Sequence, residues 1–416
     1  MKSASGRALI LGDDLGIYLA AARSLGRAGV EVHLVPSEAD DPRLCSRYIA
    51  ALHDLPHYSG SGEAWLAALA ALIDREDFGF VLPCSDDNLI RLQRHAEALG
   101  RDRLAIANDE ALTAFTDKAA TRTLAARLGI PVPSGATVDR GAEVEALIER
   151  FGLPLVLKPR VSYRAGDVQA KSYARVIRSE AALAAALPEA AAAGWLAESY
   201  FEGSGVGVSV LARDGRIRLA AQHRRLRTLS ETGGSSVRIL EATDPVLLAA
   251  AEALAAATRL SGVAMFEFRV DRAGGRHVLL EVNPRLWGSL PLALAAGADF
   301  PAGLWRQVSG TVDDPAPPTR LRTGLVKRNM SGEFERIADE GEEAASAAAR
   351  VRAVLDLLRF LPLLLVRRGF DSWAADDPGP WRAERRSLLA RLREALLKRL
   401  RPGRVSSTGP VVRGGT

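Results

Sequence analysis

The sequence predicts an α/β chain built of more than one lobe, on three observations. It opens with apolar strand patterns alternating with a helical stretch. Its middle carries two apolar strands joined by a turn, with acids on one face. Beyond about residue 340 the pattern turns helical and basic. A length of 416 residues suits two to four domains, and 48% apolar residues supply cores for them.

Residues 8–12 read as a buried strand. The helical YLAAARSLGRAG and a second strand, VEVHLVP, complete a β-α-β unit with a parallel sheet. A further strand, FGFVLPCS, follows a helix near 63–74. It ends at Asp86 and Asp87, where a parallel sheet presents its carboxyl-end crevice. Residues 1–112 are therefore expected to form a small doubly wound domain. The GDDLG turn lacks the glycine spacing of a dinucleotide site and brings two acids that repel phosphate, so it reads as a tight turn with close helix packing.

Residues 116–129 form a helix capped by Thr116 or Asp117 and stopped at Gly129. LPLVLKPR is a strand that delivers Lys158. An irregular stretch, VSYRAGDVQAKS, leads to the strand YARVIRS, and the alanine-rich 180–193 run is a helix. WLAESYFEG, VGVSVLARDG, IRLAAQHRR and GVAMFEFRVD read as strands or strand ends, with a helix at 244–259. Proline-rich 311–320 is a linker. The expected divisions are 1–112, 113–194, 195–310 and 311–416.

Several function classes are excluded. The two cysteines, Cys45 and Cys84, and the six histidines show no metal-ligand spacing. A net charge of +5 is small for this length and argues against nucleic acid. No apolar run reaches membrane-spanning length; the longest, 357–366, is short and flanked by arginines. MKSASGR shows no signal peptide, and a cytoplasmic protein is expected.

The chemistry concentrates in VLLEVNPRLWGS. Glu281, Asn283 and Arg285 occupy every second position and project to one side of a strand. Fourteen residues earlier Glu267 alternates with Phe266 and Phe268, and DRAGG makes the turn of a hairpin between them. Two carboxylates held side by side repel unless one is protonated or a cation sits between them. With the Asn283 oxygen they suit a hard cation such as Mg²⁺ that keeps positions open for water and phosphate. Lys118 stands in the first turn of a helix, against the dipole, a conflict that a phosphate would remove. Together with Lys158 it would neutralise phosphates from the side opposite the metal.

The order Lys118, LKP at Lys158, LAESYFEG, FEF and EVNPR resembles the ATP-grasp superfamily, in its carbamoyl-phosphate-synthase-like or carboxylate–amine ligase-like branch. The resemblance covers residues 1–310 and weakens beyond 320. It implies ATP held between two α+β lobes, after a Rossmann-like domain without a dinucleotide and before a helical C-terminal extension. It further implies that Lys118 and Lys158 contact ATP phosphates, and that Glu198 with the backbone of Tyr200 and Phe201 reads adenine. Glu202 would take the ribose. Glu267, Glu281 and Asn283 would hold Mg²⁺ (or Mn²⁺), and Arg285 would stabilise the reacting centre. The chain departs from the pattern after Lys158, where the usual glycine-rich flap has a single glycine, Gly166; Arg164 or Lys171 would substitute by charge. Arg224, Arg225 and TGGSS (232–236) are candidates for a substrate carboxylate or phosphate, and Arg225 is counted with Arg285 and Lys158 as catalytic.

The function expected is an ATP-dependent, ADP-forming ligase that joins a small carboxylate to an amine. A nucleotide-binding module without turnover, and a ligase for a thiol or other nucleophile, stay open; the acids of GDDLG weigh against a nicotinamide oxidoreductase. Trp287 reads equally as pocket wall or as packing. Residues 351–368 are amphipathic and read either as a helix packed on the lobes or as a peripheral membrane contact. A homodimer is also open.

Overall fold

The computed structural model describes residues 6–12, 15–161, 173–229, 233–310, 320–342, 346–367 and 369–400. The 311–320 linker lies outside these, apart from Arg320, as do Asp13 and Asp14 of the GDDLG turn and most of the loop after Lys158, with Arg164, Gly166 and Lys171.

Strands β1 (Arg7–Gly12), β2 (Glu31–Pro36), β3 (Ala51–Leu52) and β4 (Phe80–Pro83) form a parallel sheet in the order β3-β2-β1-β4. Central β1 is buried along almost its whole length, because helices cover both faces of such a sheet. Helix Asp86–Arg94 starts three residues after β4 and puts Asp86 and Asp87 in its first turn, where they complement the dipole.

A second sheet of four strands runs antiparallel: β5 (Gly135–Thr137), β6 (Leu155–Lys158), β7 (Arg175–Ile177) and β8 (Leu196–Ser199), in the order β5-β8-β6-β7. Helices Val144–Phe151 and Glu180–Ala192 pack on it around Leu155, Leu157, Leu183 and Trp195. The third sheet is larger: β9 (Ser204–Arg213), β10 (Arg216–Arg227), β11 (Val237–Glu241), β12 (Gly262–Asp271), β13 (Arg276–Asn283) and β14 (Val326–Arg328), in the order β13-β12-β9-β10-β11-β14. Phe115, from a short helix before Lys118, meets Phe266 of β12 edge-on at 5.8 Å and ties the segment carrying Lys118 to this sheet.

Two of the expected divisions cut through sheets. A boundary at 194 would move β8 away from its partners β5 and β6. A boundary at 310 would strip β14 from β11, although Val237, Arg238 and Ile239 pair with Arg328, Lys327 and Val326. The C-terminal region is thus part of the fold. Its core joins Met330, Phe334, Phe360, Phe370 and Trp381. It also docks on the first domain through Arg23, whose Nε meets Asp377 at 2.8 Å in a buried pair.

Candidate active site

A cavity of about 1130 Å³ is lined by residues of the two antiparallel sheets, of the segments that follow β1 and β4, and of the C-terminal region. It exceeds the usual range of small-molecule sites, roughly 300–1000 Å³, which leaves room for more than one ligand. Lys118, Lys158, Glu198, Tyr200, Phe201, Arg225, Glu267, Glu281, Asn283 and Arg285 all line it. The structure therefore brings together ten of the eleven expected site residues.

The hairpin sets the centre. Glu267 and Glu281 are direct cross-strand partners in β12 and β13, and Asn283 pairs with Met265 two residues along. Like charges in that register repel. Three neighbours relieve them: Arg225 meets Glu267 at 2.5 Å, Lys118 lies 3.5 Å from Glu281, and the Asn283 amide donates to both acids at 3.3 and 3.4 Å. Burial pushes the Glu267 carboxyl up despite Arg225. For Glu281 burial works in the same direction, but Lys118, Lys158 and Asn283 outweigh it and hold its pKa below the ordinary value. Arg225 reaches Glu267 from β10 across β9 because Gly205 offers no side chain; a Cβ there would stand 3.0 Å from the Arg225 Cδ.

Lys158 ends β6 almost fully buried. Its Nζ meets Glu198 at 2.7 Å and donates to the Leu280 carbonyl at 3.0 Å. Burial lowers its pKa, while Glu198 and Glu281 resist. The other Glu198 oxygen takes Arg122 at 2.6 Å. Both Glu198 oxygens thus face cations, a pairing absent from the sequence reading. Arg122 follows Lys118 by one helical turn, which is the signal that could have found it.

Lys118 is the first residue of helix Lys118–Arg127, with Asp117 as N-cap, its carboxylate accepting from the Ala119 and Ala120 amides. Thr116 instead closes the preceding helix. The unfavourable placement of Lys118 at a helix start is offset by Glu281.

Arg285 is held in a bidentate pair by Asp86, at 2.5 and 2.9 Å, and donates to the Leu286 carbonyl at 2.8 Å. Its pKa is raised because Asp86 overrides the burial that opposes it. Asp86 sits at the carboxyl end of the parallel sheet, where a site residue is expected on topology.

Two expectations need correction. Glu202 is exposed and stands outside the cavity lining, although its neighbours Phe201 and Gly203 belong to it. Arg224, grouped with Arg225 from sequence, alternates to the other face of β10 and pairs with Glu241 at 2.8 Å. Trp287 is buried against Phe300, with ring centroids 4.9 Å apart, so it packs as well as lining the cavity. Thr232 lies outside the described residues, while Gly233, Gly234 and Ser235 line the cavity.

The sequence also missed Arg238, Asn329, Arg336, Asp356 and Asp371 in the lining. Arg238 is buried, pairs with Asp371 and donates to the Gly288 carbonyl at 2.7 Å. Among the described residues no three His, Cys, Asp or Glu side chains gather as a metal site. Two carboxylates and an amide suit a cation that draws its other ligands from phosphate and water. Turning the Asn283 amide over would replace its donor by an oxygen that such a cation, seated between the acids, would take as a further ligand.

A family model described as ATP-grasp in the biosynthetic pathway with Ter operon matches residues 192–331. That segment holds β8 with Glu198, the hairpin and the Arg225 strand. The chain has the ATP-grasp fold, and its residues 192–331 are similar to that family. Solved structures of the ATP-grasp fold superpose on most of the chain. The biotin carboxylase–β-γ-ATP complex from Campylobacter jejuni is 19% identical, with a TM-score of 0.58 over 77% of this chain and 74% of that one. The L-amino acid ligase from Bacillus licheniformis is 18% identical, with a TM-score of 0.58 over 76% and 78%. The N5-carboxyaminoimidazole synthetase from Staphylococcus aureus, complexed with ADP, is 16% identical, with a TM-score of 0.60 over 82% and 87%. No curated protein sequence matches the chain. What the ATP-grasp fold contributes here is placement: the four-stranded sheet brings Lys158 and Glu198, and the six-stranded sheet brings the paired acids.

Proposed function

We propose that this chain is an ATP-dependent ligase that activates a small carboxylate for attack by an amine. The observation that carries the reading is the opposed Glu267–Glu281 pair, bracketed by Asn283 on one side and by Lys118 and Lys158 on the other. Such a set neutralises a polyphosphate from both ends.

In this reading Tyr200 and Phe201 border the nucleoside, with Glu198 at the hinge. Lys118 and Lys158 meet the phosphates, exchanging their present carboxylate partners for phosphate oxygens. Glu267, Glu281 and Asn283 would hold Mg²⁺, which supplies charge neutralisation of the phosphates when bound. The substrate carboxylate attacks the γ-phosphorus, and the bond to the β-phosphate oxygen breaks to give an acyl phosphate and ADP. The amine then adds to the acyl carbon, loses a proton, and phosphate leaves. Arg285, fixed by Asp86, and Arg225, paired with Glu267, would stabilise the charged reacting group. Enclosure by two lobes supplies positioning and excludes water.

The test is thermal unfolding of the wild type and Lys158→Ala with ATP, with and without Mg²⁺. Saturation at about a hundred times the dissociation constant should stabilise by roughly 2.7 kcal/mol. A Mg²⁺-enhanced shift lost in the variant supports the nucleotide site, and carboxylate–amine pairs would then be screened for ADP release. ATP binding without ADP release from any pair would favour a binding module, and no shift at all would remove the reading.

A further inference from the structure

Helix Ala347–Phe360 and the turn Leu361–Leu365 after it have two apolar faces, and the fold uses one. Ala353, Phe360 and Leu364 are buried, the last two in the C-terminal core with Phe334 and Trp381. Val351, Val354, Leu355, Leu358, Leu361, Leu365 and Val366 face outward, with Leu358 57% and Leu365 76% exposed. Their spacing of three and four residues makes a continuous stripe. A groove of about 350 Å³ opens beside it, lined by Leu358, Leu361, Pro362, Leu364, Leu365, Leu389 and Arg385. An apolar surface of this extent on a folded chain marks an interaction site.

The charges around the stripe select its partner. Residues 346–367 hold four arginines and one acid, Asp356. Asp356 turns inward, half-buried between Arg336 and Arg359. Arg352, Arg359 and Arg367 are exposed. The rim of the stripe on this segment is therefore cationic. A second copy docked about a twofold axis would set this rim against itself. Among the described residues no helix is long and apolar enough to cross a membrane, so the stripe suits the plane of an interface.

We propose that this face binds an anionic lipid surface, with the leucine and valine stripe in the acyl boundary, the arginines at the headgroups and the groove open to an acyl chain. The helix also places Asp356 in the lining of the reaction cavity, so the lipid-facing surface and the cavity share one wall.

The test is co-sedimentation of the full chain with phosphatidylcholine vesicles and with vesicles that also contain phosphatidylglycerol. The wild type should pellet with the anionic vesicles and far less with the neutral ones. Leu358→Ser with Leu365→Ser, both at exposed positions, should cut binding at least about ten-fold while leaving the thermal midpoint unchanged. Arg359→Gln and Arg367→Gln should each cost about five-fold, an effect that high salt removes from the wild type. No partition onto either vesicle, or equal partition onto both, overturns the proposal. So does a concentration-dependent dimer that the leucine variant dissolves without any vesicle binding, which would give the face to a second copy. Vesicle binding needs no nucleotide, so this reading and the ligase reading can fail separately.

Discussion

Replacing Glu198 by glutamine probes the buried charge arrangement most directly. The Glu198 side chain is 3% exposed and pairs with both Lys158 and Arg122. Glutamine keeps the shape and removes the charge. If Lys158 keeps its proton, an uncompensated buried charge costs about 3–5 kcal/mol. If Lys158 sheds it instead, the cost at pH 7 is set by the ordinary lysine pKa of 10.5, and at about 1.4 kcal/mol per pH unit it reaches at most about 5 kcal/mol. Both routes predict a loss of a few kcal/mol. They differ in pH dependence. On the second, the unfolded chain binds one more proton than the folded one, so stability climbs as pH rises from 7 towards 10. Urea unfolding followed by tryptophan fluorescence at several pH values reads both. Lys158→Met added to Glu198→Gln should recover part of the loss, because it removes the stranded cation. A loss below about 1 kcal/mol for Glu198→Gln, with no recovery in the double variant, would refute the claim that these charges hold one another in place.

Four further outcomes are expected. Glu281→Gln should abolish the Mg²⁺ enhancement of ATP-induced thermal stabilisation, and an undiminished enhancement would take Glu281 out of the metal site. Asp86→Asn frees Arg285 from its bidentate partner and should lower ATP-dependent ADP release about ten-fold or more with little change in ATP affinity; an equal loss of both would make Asp86 a folding residue only. Gly207→Ala puts a Cβ 2.3 Å from the His223 ring and should cost about 1–3 kcal/mol through overpacking, measured as a drop in thermal midpoint. Burial drives the His223 pKa from 6.5 down to about 3, with Arg225 and Arg238 adding to it. The unfolded chain then binds the proton first, so stability falls as pH drops below 6.5, by up to about 1.4 kcal/mol per unit. His223→Asn should flatten that slope, and an unchanged slope would assign it to other groups.

The paired acids were legible because strand alternation is local: Glu267, Glu281 and Asn283 could be set on one face by counting in twos, and a short glycine turn fixed the hairpin between them. Lys118 and Lys158 stood out for the same reason, one at a helix start and one at a strand end. Glu202 was misplaced because it falls between elements, where no period applies. Arg224 is an instance of the counting rule neglected, since its neighbour Arg225 had already claimed the inner face.

By itself, then, the sequence determined the elements, the hairpin of acids and the two lysines, all of which depend on neighbours within a few residues. Only the tertiary structure decided which charges meet. Asp86 reaches Arg285 across 199 residues, Arg122 and Lys158 converge on Glu198, and Asp371 arrives at Arg238 from the C-terminal region. The physical reason is that charge pairing has no period along the chain. It follows from sheet order and lobe docking, which the burial of distant apolar faces selects, and β14 entering the sheet of the paired acids is the case where that selection overruled a boundary drawn at a proline-rich stretch.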